Sequence, residues 1–359
     1  MTVAVPDTLD EALSPQWLTS ALQPRFPGIE VTSATLGPIV DRVSTNARFT
    51  IECTGEVPEG LSPDLCVKGY FNEEGRTTRA AGEPEACFYR DLRDHIGART
   101  LRSHYADFDP DTRHGVVITE DIVSQNSVFL DAASSYTADQ VAESLGEFAK
   151  LHAATWGKPK WGHQQWLAPR LTGAIRAMGT EEITARIDRN FHGPNGIRVP
   201  DEIKDAPRLL SAYLGLVDAL ASEYETSDWC VIHGDAHVGN IYLDGQSRPS
   251  LVDWQLVQRG MWYMDVGTHI ATALAPEERR RSEDDLLAHY LDCLASQGIE
   301  PPPFDSGRRA LRRGMVRGLY LWGITVKVEP RLIEILLHRL STAVADHDAL
   351  SPELFSAPR

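Results

Sequence analysis

The sequence predicts an α+β chain in two lobes, a small β-rich one followed by a larger, mainly helical one. Three observations lead there. Strand-like runs crowd the first third of the chain, helical periodicity dominates after about residue 122, and 359 residues exceed what one hydrophobic core usually holds. The expected division is therefore residues 1–122 and residues 123–359.

Each element has its own signal. Ser14-Pro15 reads as an N-cap and first-turn pair opening a short helix through Trp17, Leu18 and Leu22. Val31–Leu36, Ala47–Cys53 and Leu65–Phe71 read as strands, separated by turn-rich segments such as Gly55–Gly60. Glu83–Ile96 carries a helical stripe of Cys87, Phe88, Leu92 and Ile96, and Gly115–Glu120 is a further strand. Thr137–Trp156 is helical, with Val141, Leu145, Phe148 and Leu151 on one face. A Trp-, Pro- and Gly-rich loop region follows from Gly157 to Pro169, then a helix over Leu209–Tyr224 and a short β stretch. Four more helices are expected at Tyr263–Ala275, Arg280–Ser296, Gly307–Val326 and Arg331–His347.

The 35 Lys and Arg against 51 Asp and Glu give a net charge of −16, which argues against a nucleic-acid or anionic-membrane partner. Solubility is the plainer reason for the acidity, and a cationic substrate is compatible with it. Five scattered cysteines without a Cys-x-x-Cys pair suit reduced thiols. Asp7, Asp10 and Glu11 stand where a secretory signal would be basic, and no apolar run approaches a membrane span. The expectation is a cytoplasmic protein.

The chemistry concentrates in His233-Gly234-Asp235-Ala236-His237-Val238-Gly239-Asn240, followed by Val252-Asp253-Trp254. A carboxylate and a carboxamide five residues apart, with a second carboxylate ending a strand, match what phosphoryl transfer from ATP needs: a base near the acceptor hydroxyl and hard oxygen ligands for Mg2+. Asp235 is the candidate base, and Asn240 and Asp253 are the candidate metal ligands. Lys68 lies within the apolar run Leu65–Tyr70 and needs a partner there. The phosphates of ATP would supply one, with Glu85 as counter-charge; alternatively Lys68 points to solvent from an edge strand.

Rival readings use some of the same residues. His233, Asp235 and His237 alternate as zinc ligands can, with His269, Asp265 and His289 as further donors for a metal-dependent hydrolase. The plainer role of His233 and His237 is bracing the loop by hydrogen bonds. A nucleotide- or ligand-binding protein without catalysis is a third possibility.

At these residues the chain resembles the aminoglycoside and choline kinase-like phosphotransferase superfamily, most nearly its ecdysteroid-kinase-like branch. The segments that carry the resemblance are Val67-Lys68, Glu85-x-x-Phe88-Tyr89-Arg90, Thr119-Glu120-Asp121, Leu151-His152-Ala153-x-x-Trp156, His233–Asn240, Val252-Asp253-Trp254-Gln255, and Gly260 with Asp265, in family order. The resemblance implies a protein-kinase-like two-lobe fold that binds ATP and Mg2+. By carry-over Lys68 meets phosphate and pairs with Glu85, while Glu120 and Ile122 offer backbone contacts to adenine. Asp235 is the base, Asn240 and Asp253 hold magnesium, and Asp265 braces the catalytic loop. The departure lies in Leu36–Asn46, which has a single glycine; Ser44, Thr45 and their amides are expected to stand in for the missing Gly-rich phosphate loop.

The acceptor is expected to be a small hydroxylated molecule, steroid-like or another metabolite, or an antibiotic. Trp254, Trp262, Tyr263, Tyr290, Tyr320 and Trp322 supply aromatic area for an apolar alcohol, unless they are core. Glu277, Glu278, Glu283, Asp284 and Asp285 are the carboxylates a polycationic acceptor would want, although arginines flank them.

Overall fold

A computed structural model describes residues 3–225 and 229–355. The chain divides into two units, one of Met1–Val128 with Leu243–Val257, the other of Phe129–Tyr242 with Gln258–Arg359. Among the described residues no helix is long and apolar enough to cross a membrane.

The first unit is built on helix α1 (Pro15–Leu22) and strands β1 (Val31–Asp41), β2 (Thr45–Cys53) and β3 (Asp64–Gly69). Helix α2 (Gly82–Cys87) and strands β4 (Ser103–Phe108) and β5 (Gly115–Glu120) follow. The strands form one antiparallel sheet in the order β1-β2-β3-β5-β4. Its core contains Leu18, Leu22, Phe49, Ile51, Leu65, Val67, Val116 and Ile118. Because strand residues alternate faces, burying Leu65 and Val67 in that core sends Lys68 to the opposite face.

Three local readings are corrected here. β1 runs on to Asp41, past Gly37-Pro38, because a register shift between Leu36 and Ile39 absorbs the two residues as a bulge. Strand β4 carries no clean apolar alternation and was not predicted. The expected helix over Glu83–Ile96 is α-helical only to Cys87, then widens into a π-turn over Phe88–Leu92 and ends as a 3₁₀ turn. Helix α2 comes close to β5 through a glycine pair: a Cβ on Gly115 would lie 2.1 Å from the Gly82 carbonyl oxygen.

The second unit is mainly helical. Helix α3 (Ala138–Thr155) opens on a capping box in which Thr137 Oγ1 accepts from Gln140 N–H and Gln140 reaches back to Thr137 N–H. Helices α4 (Gly173–His192) and α5 (Ala206–Glu223) follow, then strands β6 (Cys230–Ile232) and β7 (Gln258–Gly260), paired antiparallel. Four helices complete the unit: α6 (Tyr263–Ala273), α7 (Pro276–Ser296), α8 (Phe304–Gly323) and α9 (Pro330–Asp346). Sequence reading left α4 without an element, since Gly179 (φ 79°) interrupts it and its apolar residues are sparse. The stretch expected to be loop before it holds short helical turns at Pro159–Gly162 and Gln165–Leu167.

Helix α6 is buried along its whole length, and this decides what surrounds the catalytic loop. It packs against α8 through Gly267 and Gly314, whose absent side chains let the two backbones touch. A Cβ on Gly314 would lie 1.9 Å from the Tyr263 carbonyl oxygen.

Candidate active site

In the first unit the predicted cation and two of the predicted carboxylates come together. Lys68 Nζ lies 2.7 Å from Glu85 Oε2 and 2.9 Å from Asp253 Oδ1. The edge-strand alternative for Lys68 is thereby excluded: β3 lies between β2 and β5, and the ammonium is turned onto these partners. Desolvation works against the charged ammonium, but Asp253 and Glu85 outweigh it and hold the Lys68 pKa well above its ordinary value. Glu85 is further fixed by Trp254 N–H, which donates to Oε1 at 3.3 Å, and Trp254 stacks on Phe88 at 3.6 Å.

Asp253 itself has φ 67° and ψ 74°, a left-handed conformation that is unfavourable for a residue with a side chain. Such conformations persist where the surroundings over-determine them, typically at functional sites. Its side chain is about one third exposed, in contrast to that of Glu85.

The other candidates of this unit occupy distinct places. Ser44 lies in the tight connection between β1 and β2, its carbonyl accepting from Arg42 N–H at 3.1 Å. Thr45 Oγ1 and Asn72 Nδ2 both donate to Asp41 Oδ1 and tie that turn down. Glu120 ends β5, and its N–H is spent on the Arg102 carbonyl. Its carboxylate is held below the usual range by the His104 contact and by Gln125 Nε2, despite partial burial. The Ile122 carbonyl accepts from both Gln125 and Ser127 N–H.

In the second unit the loop His233–Asn240 leaves β6 and is held mainly through its backbone. Asp265, on α6, is fully buried; its Oδ2 accepts from His233 N–H at 2.6 Å and its Oδ1 from Gly234 N–H at 2.9 Å. Burial works to raise its pKa, but the His152 hydrogen bond and charge, with His233 and the loop amide, hold it below the ordinary value. His152 Nε2 lies 3.2 Å from Asp265 Oδ2, and its Nδ1 2.8 Å from the Tyr290 hydroxyl.

Asp235 is partly exposed, and its Oδ2 lies 3.7 Å from His237 Nε2. Asn240 donates from Nδ2 to the Asp235 carbonyl at 2.8 Å, which spends the nitrogen of its amide and leaves Oδ1 as the end able to bind a cation. His233 Nδ1 accepts from Asp235 N–H at 3.2 Å, and His237 Nδ1 accepts from Gly239 N–H at 3.0 Å. Both rings thus brace the loop.

The zinc alternative loses its donors to these bonds. His269 lies with Nδ1 3.1 Å from the Ala236 carbonyl and Nε2 2.6 Å from Ser144 Oγ, and His289 contacts Cys293 Sγ. Among the described residues no three His, Cys, Asp or Glu side chains are grouped to hold a metal.

Two substrate expectations are corrected. Trp254, Trp262, Tyr263, Tyr290, Tyr320 and Trp322 are all buried, so they pack the interior rather than lining an open acceptor pocket. Trp262 stacks on Tyr290, Tyr320 on Tyr213, and Tyr263 donates to Glu223. Of the acidic residues, Glu277, Glu278, Glu283 and Asp284 are ion-paired with Arg280, Arg281, Arg279 and Arg308.

Two residues touch the loop in roles the sequence did not suggest: His269, named there only as a zinc donor, meets the Ala236 carbonyl, and Arg317 was not singled out at all. Arg317 on α8 is 2 % exposed and donates to the Gly234 carbonyl at 2.5 Å. The available signal was an arginine within the apolar run Met315, Val316, Leu319 and Tyr320, where a charge needs a reason.

The sheet-bearing unit and the mainly helical unit define the class by fold, which is protein-kinase-like. Residues 126–302, a little under half of the chain, match APH, the phosphotransferase enzyme family. The fold is similar to choline kinase from Cryptosporidium parvum Iowa II, with a TM-score of 0.57 and 13% identity over 94% of this chain and 98% of that one. It is also similar to LicA, the choline kinase of Streptococcus pneumoniae, in complex with AMP, with a TM-score of 0.50 and 14% identity over 94% and 99%. No curated protein matches the sequence. The family match is to phosphotransferases over that segment, and the two solved structures share the fold.

Proposed function

We propose that the protein transfers the γ-phosphate of ATP to a hydroxyl of a small molecule. The observation that carries this reading is the Lys68 ammonium, held charged by Glu85 and by an Asp253 in a left-handed backbone. An interior ion pair contributes little net stability, whereas a cation poised beside a half-open carboxylate suits a phosphate chain.

In this reading residues 1–122 carry nucleotide binding and residues 123–359 the catalytic loop and acceptor site, with Asp253 closing the phosphate end. Lys68 binds phosphate and Glu85 keeps it aimed. The Ile122 N–H, whose carbonyl is already spent, and the Glu120 backbone meet adenine. Ser44 and its neighbouring amides cover the phosphates.

Each residue assigned to magnesium offers the hard oxygen it prefers: Asp253, in the first unit, a partly exposed carboxylate, and Asn240, in the second, the oxygen of an amide whose nitrogen donates to the Asp235 carbonyl. Magnesium, when bound with the nucleotide, would neutralise charge on the phosphates. Asp235 orients the acceptor hydroxyl and takes its proton as the bond to phosphorus forms and the β–γ bridge breaks, leaving ADP and a phosphate ester.

For the acceptor we favour a steroid-like or other hydroxylated metabolite, with a hydroxylated antibiotic next. Likeness to the ecdysteroid-kinase-like branch supports that choice. The test is incubation with ATP, magnesium and an alcohol library, read by mass gain of one phosphate, with Asp235→Asn as control. Product from the native protein alone supports the reading. Nucleotide binding without product across the library favours a non-catalytic binding protein, and turnover unchanged in Asp235→Asn removes Asp235 from its role.

A further inference from the structure

Gly234 has φ +85° and no Cβ, so side-chain sterics do not restrict the peptide that joins it to Asp235 from that side. A change of ψ at Gly234 not compensated by φ at Asp235 would turn the Asp235 backbone and with it the Cα–Cβ bond. Both ends of that peptide are held. Asp235 N–H donates to His233 Nδ1, and the Gly234 carbonyl accepts from Arg317 Nη2. The flanking peptide is pinned by Asp265, and the next carbonyl but one, on Ala236, by His269. Arg317 therefore grips the oxygen of the peptide that leads into Asp235.

Its own surroundings make a purely structural purpose a poor account. The guanidinium is 2 % exposed, yet among the described residues its Nε and Nη1 have no partner. A guanidinium desolvated with donors unspent costs stability, and an apolar side chain of similar volume would pack the site more cheaply. A charged donor on one particular carbonyl is what remains.

We propose that Arg317 is a positioning residue for Asp235, holding the 234–235 peptide so that the carboxylate keeps its direction. The kinetic part rests on the phosphotransferase reading; the structural part does not.

The experiment compares the native protein with Arg317→Met and Arg317→Lys. Met fills the volume without donors, and Lys keeps a charged donor. Arg317→Met is expected to keep or raise the thermal midpoint, and to leave KM for ATP within about twofold while kcat falls by roughly tenfold to a hundredfold, as small misplacements of a catalytic group do. Arg317→Lys is expected to recover part of that kcat. Hydrogen exchange at the Asp235 amide reads the peptide directly: slow in the native protein, and at least about tenfold faster in Arg317→Met, with the α6 amides unchanged.

A folded Arg317→Met with native kcat overturns the proposal, and so does equal loss of midpoint and activity in both variants. If the Met variant fails to fold, the native protein still decides, since an Asp235 amide exchanging at the rate of an open loop would show that the peptide is not held. Absence of any ATP turnover would defeat the phosphotransferase reading, while the exchange measurement would still report on the clamp.

Discussion

Glu85 stands 2.7 Å from the ammonium of Lys68, and both side chains are largely out of water. Seventeen residues separate them in the chain, on a strand and the next helix. Asp253 joins them from 185 residues beyond Lys68. The physics of such a trio is asymmetric: keeping all three is nearly neutral, whereas removing the cation leaves carboxylates without compensation.

Lys68→Met should therefore lower unfolding stability by about 3 kcal/mol and weaken nucleotide binding by roughly tenfold or more. Glu85→Gln should cost less, because the amide oxygen can still accept from Trp254 N–H. Urea unfolding and a nucleotide titration on both variants check the order.

Asp235→Asn removes the proposed base and little else, since its backbone N–H and carbonyl carry the loop contacts. Turnover should fall by about 10²- to 10⁴-fold with nucleotide affinity retained. Single-turnover kinetics beside equilibrium binding separate the two effects.

Asp265 accepts two backbone N–H groups at the start of the loop. Asp265→Asn must turn an amide NH2 toward a donor, so stability should drop by about 2–4 kcal/mol and activity with it. Thermal unfolding and hydrogen exchange at residues 233 and 234 measure the loss.

Acidification should destabilise the fold through two buried histidines. Burial pushes the rings of His114 and His269 down to about 4. The unfolded chain binds protons there near pH 6.5, so this stability is complete above that value and is lost as pH falls toward 4. At pH 5 the loss is about 2 kcal/mol for each ring. Denaturant midpoints at pH 7 and pH 5 should differ accordingly, and His269→Gln should narrow the difference.

Gly314→Ala tests the close contact of α6 with α8. Alanine is the better helix former by about 1 kcal/mol, yet its Cβ would fall 1.9 Å from the Tyr263 carbonyl oxygen. Net destabilisation of at least about 2 kcal/mol is expected from chemical unfolding.

Much of the architecture was legible in local pattern. Ser14-Pro15 opens its helix, Thr137 caps the next long one, and α5 to α9 fall within a few residues of their periodic stripes. The misreadings have local causes too. Gly37-Pro38 reads as a turn but is absorbed in a bulge, and the helix after Glu83 changes winding at Phe88.

Spacing within a few residues is a property of the chain, because helix and strand periods act over one or two turns. Most strands, the C-terminal run of helices and the spacing within His233–Asn240 were settled at that range, whereas β4, α4 and the strand order in the sheet were not. Partnership across 83 or 185 residues is different. Which acid Lys68 would meet, which carbonyl Arg317 would hold, and whether six aromatic rings would face solvent or each other depended on packing. Those contacts form only when distant segments are brought together at the expense of chain entropy, and no local period encodes that.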